Sequence, residues 1–560
     1  MKVTRQQRSR EEVAREEVGH TKVRRGVAIL LVCAFLIAIF AVPIHQHFAE
    51  RRIAGQQDDD DSLVWGDGWP PLLKPWRREN WKFSSLIEAN RRMLQSIAEL
   101  EDRLEDESVF GQRVRPPMQA GLSGVLGVGN EQAYVGHDGW LFYRPGIDYL
   151  TGPGFLEPRQ LARRASEGNE WRAAPQPDPR KAIIDFHQQL AARDIQLIVM
   201  PTPIKPTIHP EQFSQRFDLT SPPLHNVSYP KLLDDLAAAG VHVYDPTSVL
   251  HERKLSSSEA QYLATDTHWR PEAMEAAAAD LADHLRRALH LDSAADQRLR
   301  REPVQIEAYG DVALMLDLPT DQTLFPPEQV TIHSVFTADN QYWRAREEAD
   351  VLLLGDSFSN IFSLEPMGWG EAAGFAEQLS YYLNAPIDRL VRNDSGAFAT
   401  RDMLSRELAR GRDRLDGKQV VVWQFAAREL AVGDWRLIPL ELRDPPETLF
   451  FVPAPGSSQI VEGTVQAVSE VPRPGTVPYR DHILSVHLVE LPDDAQAVVY
   501  LHSMRDNEWT AAARLRPGQT VSLELHSWSD FADQHDGINR SELDDWELQL
   551  QEPAWGVLMP

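Results

Sequence analysis

The chain has 560 residues, too many for one hydrophobic core, so two or three domains are expected. Its formal net charge is −26, which excludes non-specific nucleic-acid binding because phosphates would be repelled. A single cysteine, Cys33, excludes intrachain disulfides and cysteine-based zinc sites.

Residues 1–25 form a basic tail, with Lys22, Arg24 and Arg25 just before an uncharged run at 26–43, "GVAILLVCAFLIAIFAVP". That run is near the lower limit of roughly 17–25 residues for a membrane-spanning helix. A cleaved signal peptide is the alternative, but no small-x-small site follows. An inner-membrane anchor is therefore expected, with the basic end cytoplasmic and the body outside the cytoplasm. Residues 44–125 then read as a linker and helical segment. In it, Leu86, Met93, Ile97, Leu100 and Leu104 mark a helix over 84–109, either a short coiled coil or a helix packed on its own domain.

From 126 to 440 the pattern becomes α/β. "YVGHDGWLFY" (134–143) places His-Asp-Gly between two aromatic runs and predicts a hairpin. Helices are predicted at 179–194, 229–240, 270–289, 371–383 and 400–411. Apolar strands are predicted at 195–203, 241–246, 350–356, 385–391 and 418–425. Unbroken apolar strands alternating with helices imply a parallel sheet covered on both faces. Residues 295–348 fit this poorly and read as an irregular insertion. Residues 445–560 carry short alternating strands between Pro, Gly and Asp turns, an all-β module that is either a barrel or a sandwich. Its Trp509, Trp528, Trp546 and Trp555 either stack on sugar rings or fill the core.

The chemistry centres on "VLLLGDSFSN" (351–360), where Ser357 follows a buried strand. Ligands bind beyond the carboxyl ends of such strands. Serine needs a base and an oxyanion pocket to act as a nucleophile. "QYLATDTHWRPEA" (261–273) offers both members of a base pair: Asp266 and His268, two apart, point to one side of an extended segment. Two other readings stand beside this one. Gly-Asp-Ser is also an ordinary turn in which Asp356 caps a helix. Asp-x-His is also half a metal site, with His209 as the nearest third ligand. Lys205, just past a strand end, either binds an anionic group on a polymer or is a solvated surface lysine. Arg428, after the last strand, either contacts substrate or sits in a buried ion pair.

Taken together, "YVGHDGWLFY", "PTPIKPTIHPE", "DTHW", "GDSFS", "DSGAF" and "VVWQFAAREL" resemble the periplasmic alginate O-acetyltransferases, SGNH-hydrolase-like enzymes, over about residues 130–435. The resemblance implies an SGNH-like (flavodoxin-like) three-layer α/β/α domain. With the other readings, the expected fold class is α/β with that domain, a C-terminal all-β module and an N-terminal transmembrane helix. It implies Ser357 as nucleophile, His268 as base and Asp266 as its orienter. It places the Ser357 and Gly396 amides in the oxyanion hole, and Lys205 and Arg428 remain candidates for substrate binding. No counterpart of the usual SGNH asparagine is evident; Asn360 and Asn393 are the candidates. No cofactor or metal is called for. The implied activity is O-acetylation of an exopolysaccharide in the periplasm through an acetyl-serine. A membrane-bound O-acyltransferase partner would supply the acetyl group, since acetyl-CoA is absent there. A polysaccharide acetylesterase with the same triad and a non-catalytic, anchored glycan-binding scaffold are the alternatives. In that family a C-terminal module often binds carbohydrate.

Overall fold

The computed structural model describes residues 25–36 and 109–559, apart from 169–173, 290–297, 394–395, 445–449, 475–476, 478, 493–494 and 536. The chain divides into two compact units, Met1–Pro117 and Met118–Pro560. In the first, residues 25–36 are helical. The rest of the run expected to span a membrane, and nearly all of the helix expected over 84–109, lie outside the described residues. Among the described residues no helix is long and apolar enough to cross a membrane.

A helix, Val109–Leu126, runs into the second unit, and the predicted hairpin follows, β1 (Ala133–Val135) against β2 (Leu141–Tyr143). Asp138 and Gly139 turn it at positive φ, the backbone region that a tight hairpin turn requires. The main sheet follows. Its helices and strands are α1 (Pro179–Ala191), β3 (Gln196–Thr202), α2 (Tyr229–Ala238), β4 (His242–Val243) and α3 (Pro271–Leu289). After the pair β5 (Arg300–Ala308) and β6 (Glu328–Phe336) come β7 (Val351–Gly355), α4 (Ser357–Asn360), α5 (Phe375–Leu383), β8 (Asp388–Val391), α6 (Ala399–Ala409) and β9 (Val420–Ala426).

The five strands are all parallel, in the order β4-β3-β9-β7-β8. Side chains alternate between two cores. Ile198, Met200, Val351, Leu353, Val420 and Val422 face α3 and α5. Leu197, Val199, Leu352, Leu354, Val421 and Trp423 face α1, α2 and α6. The expected three layers are present. The strand order departs from a flavodoxin-like sheet, where the last strand lies at the edge. Here the last strand, β9, sits in the middle. Its seven residues are all buried, and it is paired with β3 along its length and with β7 on the other side.

Residues 295–348 are more regular than expected. β5 and β6 form a nine-residue antiparallel pair in unbroken register. Its exposed strand, "RREPVQIEA", presents mostly polar side chains, so apolar alternation was a weak signal.

The C-terminal region contributes β10 (Ser458–Val468), β11 (His482–Leu491), β12 (Ala495–Arg505), β13 (Glu508–Trp509), β14 (Thr520–Ser527), β15 (Asn539–Ser541) and β16 (Ala554–Leu558). The pairings β10–β11–β12–β16–β14–β10 close on themselves, making a small barrel, with β13 and β15 attached to its sides. Val461, Leu484, Val486, Val499, Leu501, Leu523 and Leu525 fill it. The barrel is not a free appendage. Its Tyr479 and Met504 lie in the same apolar core as Phe362 and Met367, and Arg410 donates to the Gln549 carbonyl at 2.6 Å.

Candidate active site

The carboxyl ends of β3, β7, β8 and β9 lie on one edge of the sheet. They send out the segments bearing Lys205, Ser357, Gly396 and Arg428 respectively. Ser357 is the first residue of α4. Asp356 caps that helix by accepting the Phe358 amide at 2.9 Å. The same carboxylate accepts Gln424 Nε2 at 2.8 Å and the Ala426 amide at 2.6 Å. Gln424 in turn accepts the Asp356 amide and the Ser359 hydroxyl and donates to Thr202. The turn carrying Ser357 is thus tied to β9 and β3. Asp356 has the structural role that the turn reading gave it, and Ser357 also has a base beside it.

His268 Nε2 lies 2.8 Å from Ser357 Oγ, and His268 Nδ1 lies 2.6 Å from Asp266 Oδ1. The structure therefore brings together the three residues that the sequence placed in two separate motifs. The means is a compact loop rather than the expected extended segment. Tyr262 and Trp269 bridge its ends, and Asp266 Oδ1 also accepts the His268 amide at 3.0 Å. Glu328, from β6, accepts the Ala264 and Thr265 amides and fastens the loop from outside. Ser357 is 3% exposed and His268 1%, so little water reaches the pair.

Asp266 has a full set of donors. Besides the two from His268, its outer oxygen takes the Asp311 amide at 2.9 Å and the Trp369 indole N–H at 3.0 Å. Burial pushes its carboxyl up, but the imidazole charge and these hydrogen bonds outweigh that and hold it down at about 2. Asp311 is the opposite case. Burial and the charge of Asp266 push it up to about 6. Its Oδ1 accepts the Thr267 amide at 2.6 Å, and its Oδ2 stands 3.8 Å from His268 Nδ1.

Asp266, His268 and Asp311 are close enough to hold a metal ion. Their donor pattern fits hydrogen bonding better. Both imidazole nitrogens already face partners, and both Asp266 oxygens take N–H donors, so an ion would have to displace one. His209, the expected rival ligand, lies in another network. Its Nε2 accepts the Gln261 amide at 2.9 Å and its Nδ1 faces Glu211 at 3.0 Å.

Two of the candidate substrate contacts separate. Lys205 is corrected: it is 3% exposed, and its ammonium donates to the carbonyls of Leu141 and Ala264 at 2.7 and 3.1 Å. It stitches the hairpin to the Asp266 loop instead of facing a polymer, and burial lowers it to about 8. Arg428 lies over the rings of Tyr143 and Phe358, 5.2 and 5.8 Å from their centroids, and its Nη1 is buried without a hydrogen-bond partner. Phe358 also packs against the His268 ring at 4.8 Å, so Arg428 is one ring away from the imidazole.

Gly396 has φ +75°, and a Cβ there would stand 2.8 Å from Glu429 Oε2. The positive φ favours glycine, and a side chain there would also have to push the Glu429 carboxylate aside. Asn360 and Asn393 bond to each other at 3.1 Å, and the Asn393 amide donates to Asn539 of the barrel. Of the tryptophans, Trp528 and Trp555 are buried and Trp509 is 39% exposed; the Trp546 side chain lies outside the described residues.

For Asp311, Trp369, Gln424 and Glu429 the sequence alone marks no functional role. Trp369, between two glycines in "MGWG", carried a signal: Gly368 and Gly370 both have positive φ. Asp311 follows a glycine in an otherwise featureless stretch.

Fold and site define the class, an α/β enzyme with serine, imidazole and carboxylate in line beyond a parallel sheet. The chain belongs to the ALGX family, described as SGNH hydrolase-like domain, acetyltransferase AlgX, which matches residues 133–427. It is an O-acetyltransferase. Two proteins named probable alginate O-acetylase AlgJ are similar. That of Pseudomonas fluorescens is 27% identical over 313 residues, 55% of this chain and 70% of its own. That of Pseudomonas aeruginosa is 26% identical over 311 residues, 54% and 72%. Among solved structures, the O-acetyltransferase domain of Pseudomonas putida AlgJ is similar at 21% identity and a TM-score of 0.40, covering 53% of this chain and 92% of that one. Pseudomonas aeruginosa AlgX follows at 14% identity and a TM-score of 0.35, covering 70% and 91%.

Proposed function

We propose that the chain transfers acetyl groups to hydroxyls of a polysaccharide through an acetyl-Ser357 intermediate. The observation that carries this is the unbroken line from Ser357 Oγ through His268 to Asp266, at 2.8 and 2.6 Å. Ser357 Oγ attacks the donor's carbonyl while His268 Nε2 takes the hydroxyl proton. Asp266 keeps the other ring nitrogen protonated and stabilises the imidazolium. The amides of Ser357 and Gly396 receive the oxyanion. As the tetrahedral intermediate collapses, the donor's leaving group departs with the proton from His268. A sugar hydroxyl then attacks acetyl-Ser357 and its proton passes to His268, which gives it to Ser357 Oγ as the acetylated sugar leaves. The unpartnered Arg428 Nη1, over the ring of Phe358, supports Arg428 as a substrate contact.

The burial of Ser357 and His268 favours transfer over hydrolysis, because water must be kept from the acetyl-serine. The names of the similar alginate O-acetylases support a polysaccharide acceptor. A net charge of −26 leaves a neutral glucan or a mixed heteropolysaccharide as open as a polyuronate. The uncharged run at 26–43 supports an inner-membrane anchor, a periplasmic site and a membrane-bound acyltransferase as donor.

The test uses a small activated acetyl ester. The wild-type protein should form a Ser357 peptide bearing one acetyl group, seen by mass spectrometry. An acceptor oligosaccharide should discharge it faster than water does and become acetylated. Loss of acetate from acetylated polymer, with no oligosaccharide acetylated, would overturn transfer from acetyl-Ser357 to a sugar hydroxyl.

A further inference from the structure

Behind His268 lies a second carboxylate that the triad does not need. Asp311 opens a short helix, Asp311–Met315, and the residue before it is Gly310. A Cβ on Gly310 would fall 2.3 Å from the Thr265 carbonyl carbon and 2.5 Å from the Asp266 nitrogen. Only glycine lets the two loops touch there. The contact then delivers two hydrogen bonds in opposite directions. The Asp311 amide donates to Asp266 Oδ2 at 2.9 Å, and Asp311 Oδ1 accepts the Thr267 amide at 2.6 Å. The remaining oxygen, Oδ2, is left 3.8 Å from His268 Nδ1.

We propose that Asp311 is a positioning residue of the acyl transfer: it clamps the loop that carries Asp266 and His268, and its carboxylate is a second anionic partner for the imidazolium. This rests on the assignment of Ser357 and His268 above. When His268 takes the Ser357 proton, a positive charge appears on the ring between two carboxylates, one hydrogen-bonded and one in Coulombic reach. Both are sealed from water, where such an interaction is strongest. The charged and titratable groups facing Asp311 are Asp266 and His268 from the loop, Tyr143 from the end of β2 and Lys205 after β3. With Asp266 fully supplied by donors, Asp311 is the carboxylate that gives way when a proton arrives.

Asp311→Asn isolates the charge, because the amide oxygen still accepts the Thr267 N–H and the backbone contact to Asp266 is kept. The rate of Ser357 acetylation by a small activated ester is followed against pH. Losing an anion near the ring lowers the imidazole pKa. The acid limb should therefore move to lower pH by about one unit, and the plateau should fall roughly tenfold. Asp311→Glu keeps the charge and should hold the limb near its wild-type position. A limb that stays in place in Asp311→Asn, or a Glu variant shifted as far as the Asn variant, overturns the proposal. Should Asp311→Asn not fold, carbon-13 NMR of aspartate-labelled wild-type protein replaces it. One carboxyl should then titrate near 6 and shift upward in His268→Ala, and no carboxyl titrating above 5 overturns the proposal. Ser357→Ala is the control. If it still forms an acetyl-enzyme, the nucleophile assignment fails; if it is dead while the limb stays fixed, only the role of Asp311 fails.

Discussion

The indole N–H of Trp369 reaches the outer oxygen of Asp266 at 3.0 Å, from a turn 103 residues away in sequence. This contact completes the donor set that keeps a buried carboxylate ionised. Trp369→Phe preserves much of the ring and deletes the donor. A hydrogen bond to a charged group contributes about 1.5–3 kcal/mol, so Ser357 acetylation should slow by roughly tenfold or more. Thermal stability should fall with it. An unchanged rate in a folded variant would mean that Asp266 holds His268 without this support.

Ser357→Ala, His268→Ala and Asp266→Ala should each reduce acetyl transfer by about a thousandfold or more. The three act as one unit, so the double variant Ser357→Ala/His268→Ala should be no worse than Ser357→Ala. Additive losses, measured as transfer rates under saturating acceptor, would argue for separate roles.

Asp311 makes an opposite demand on stability. Its carboxyl is raised to about 6 in the fold. The unfolded chain ionises it near 4, so stability is lost as pH rises from about 4 to about 6, by at most about 3 kcal/mol. Asp311→Asn does not titrate. Relative to wild type it should become more stable between pH 4.5 and pH 7.5, visible as a widening difference in melting temperature. A difference that narrows over that range would contradict the sign.

The barrel should prove inseparable from the catalytic domain. A chain ending at residue 444 loses Tyr479 and Met504 from the shared core, along with the Arg410–Gln549 and Arg412–Glu552 contacts. Each large apolar side chain contributes about 1.5–3 kcal/mol when buried. The truncated chain should melt roughly ten degrees lower or fail to stay soluble. An unaltered melting temperature would show that the barrel merely rests on its neighbour.

The anchor is tested by fusing alkaline phosphatase after residue 60. Activity is expected if the body lies outside the cytoplasm. A mature amino terminus near residues 45–50 would show instead that the apolar run is removed.

The sheet was legible because β3, β7 and β9 are unbroken apolar runs, and hydropathy alone marks them. Their order was not, since an apolar strand is equally content beside any other: β7 and β9 are both buried along their whole length. That Ser357, His268 and Asp266 would meet was legible because they sit in two short motifs at the same edge of the sheet. Asp311 and Trp369 reach Asp266 and its loop through contacts made only when distant loops meet, and an aspartate after a glycine looks like any turn. Lys205 misled for a related reason. A lysine past a strand end is usually solvated, and nothing in "PTPIKP" shows that two carbonyls from other segments await it.

The central place of β9 has a consequence for how the molecule comes into being. Gln196 pairs with Val420 and Thr202 with Ala426, partners separated by most of the catalytic domain. Until Ala426 is available, β3–β4 and β7–β8 are two separate pairs, each with a bare apolar edge. Pairings so far apart form slowly, and open edges invite association between chains. A chain delivered amino terminus first therefore spends its longest vulnerable interval just before its last sheet strand arrives. Its yield should depend on the rate of delivery and on whatever shields those two edges meanwhile.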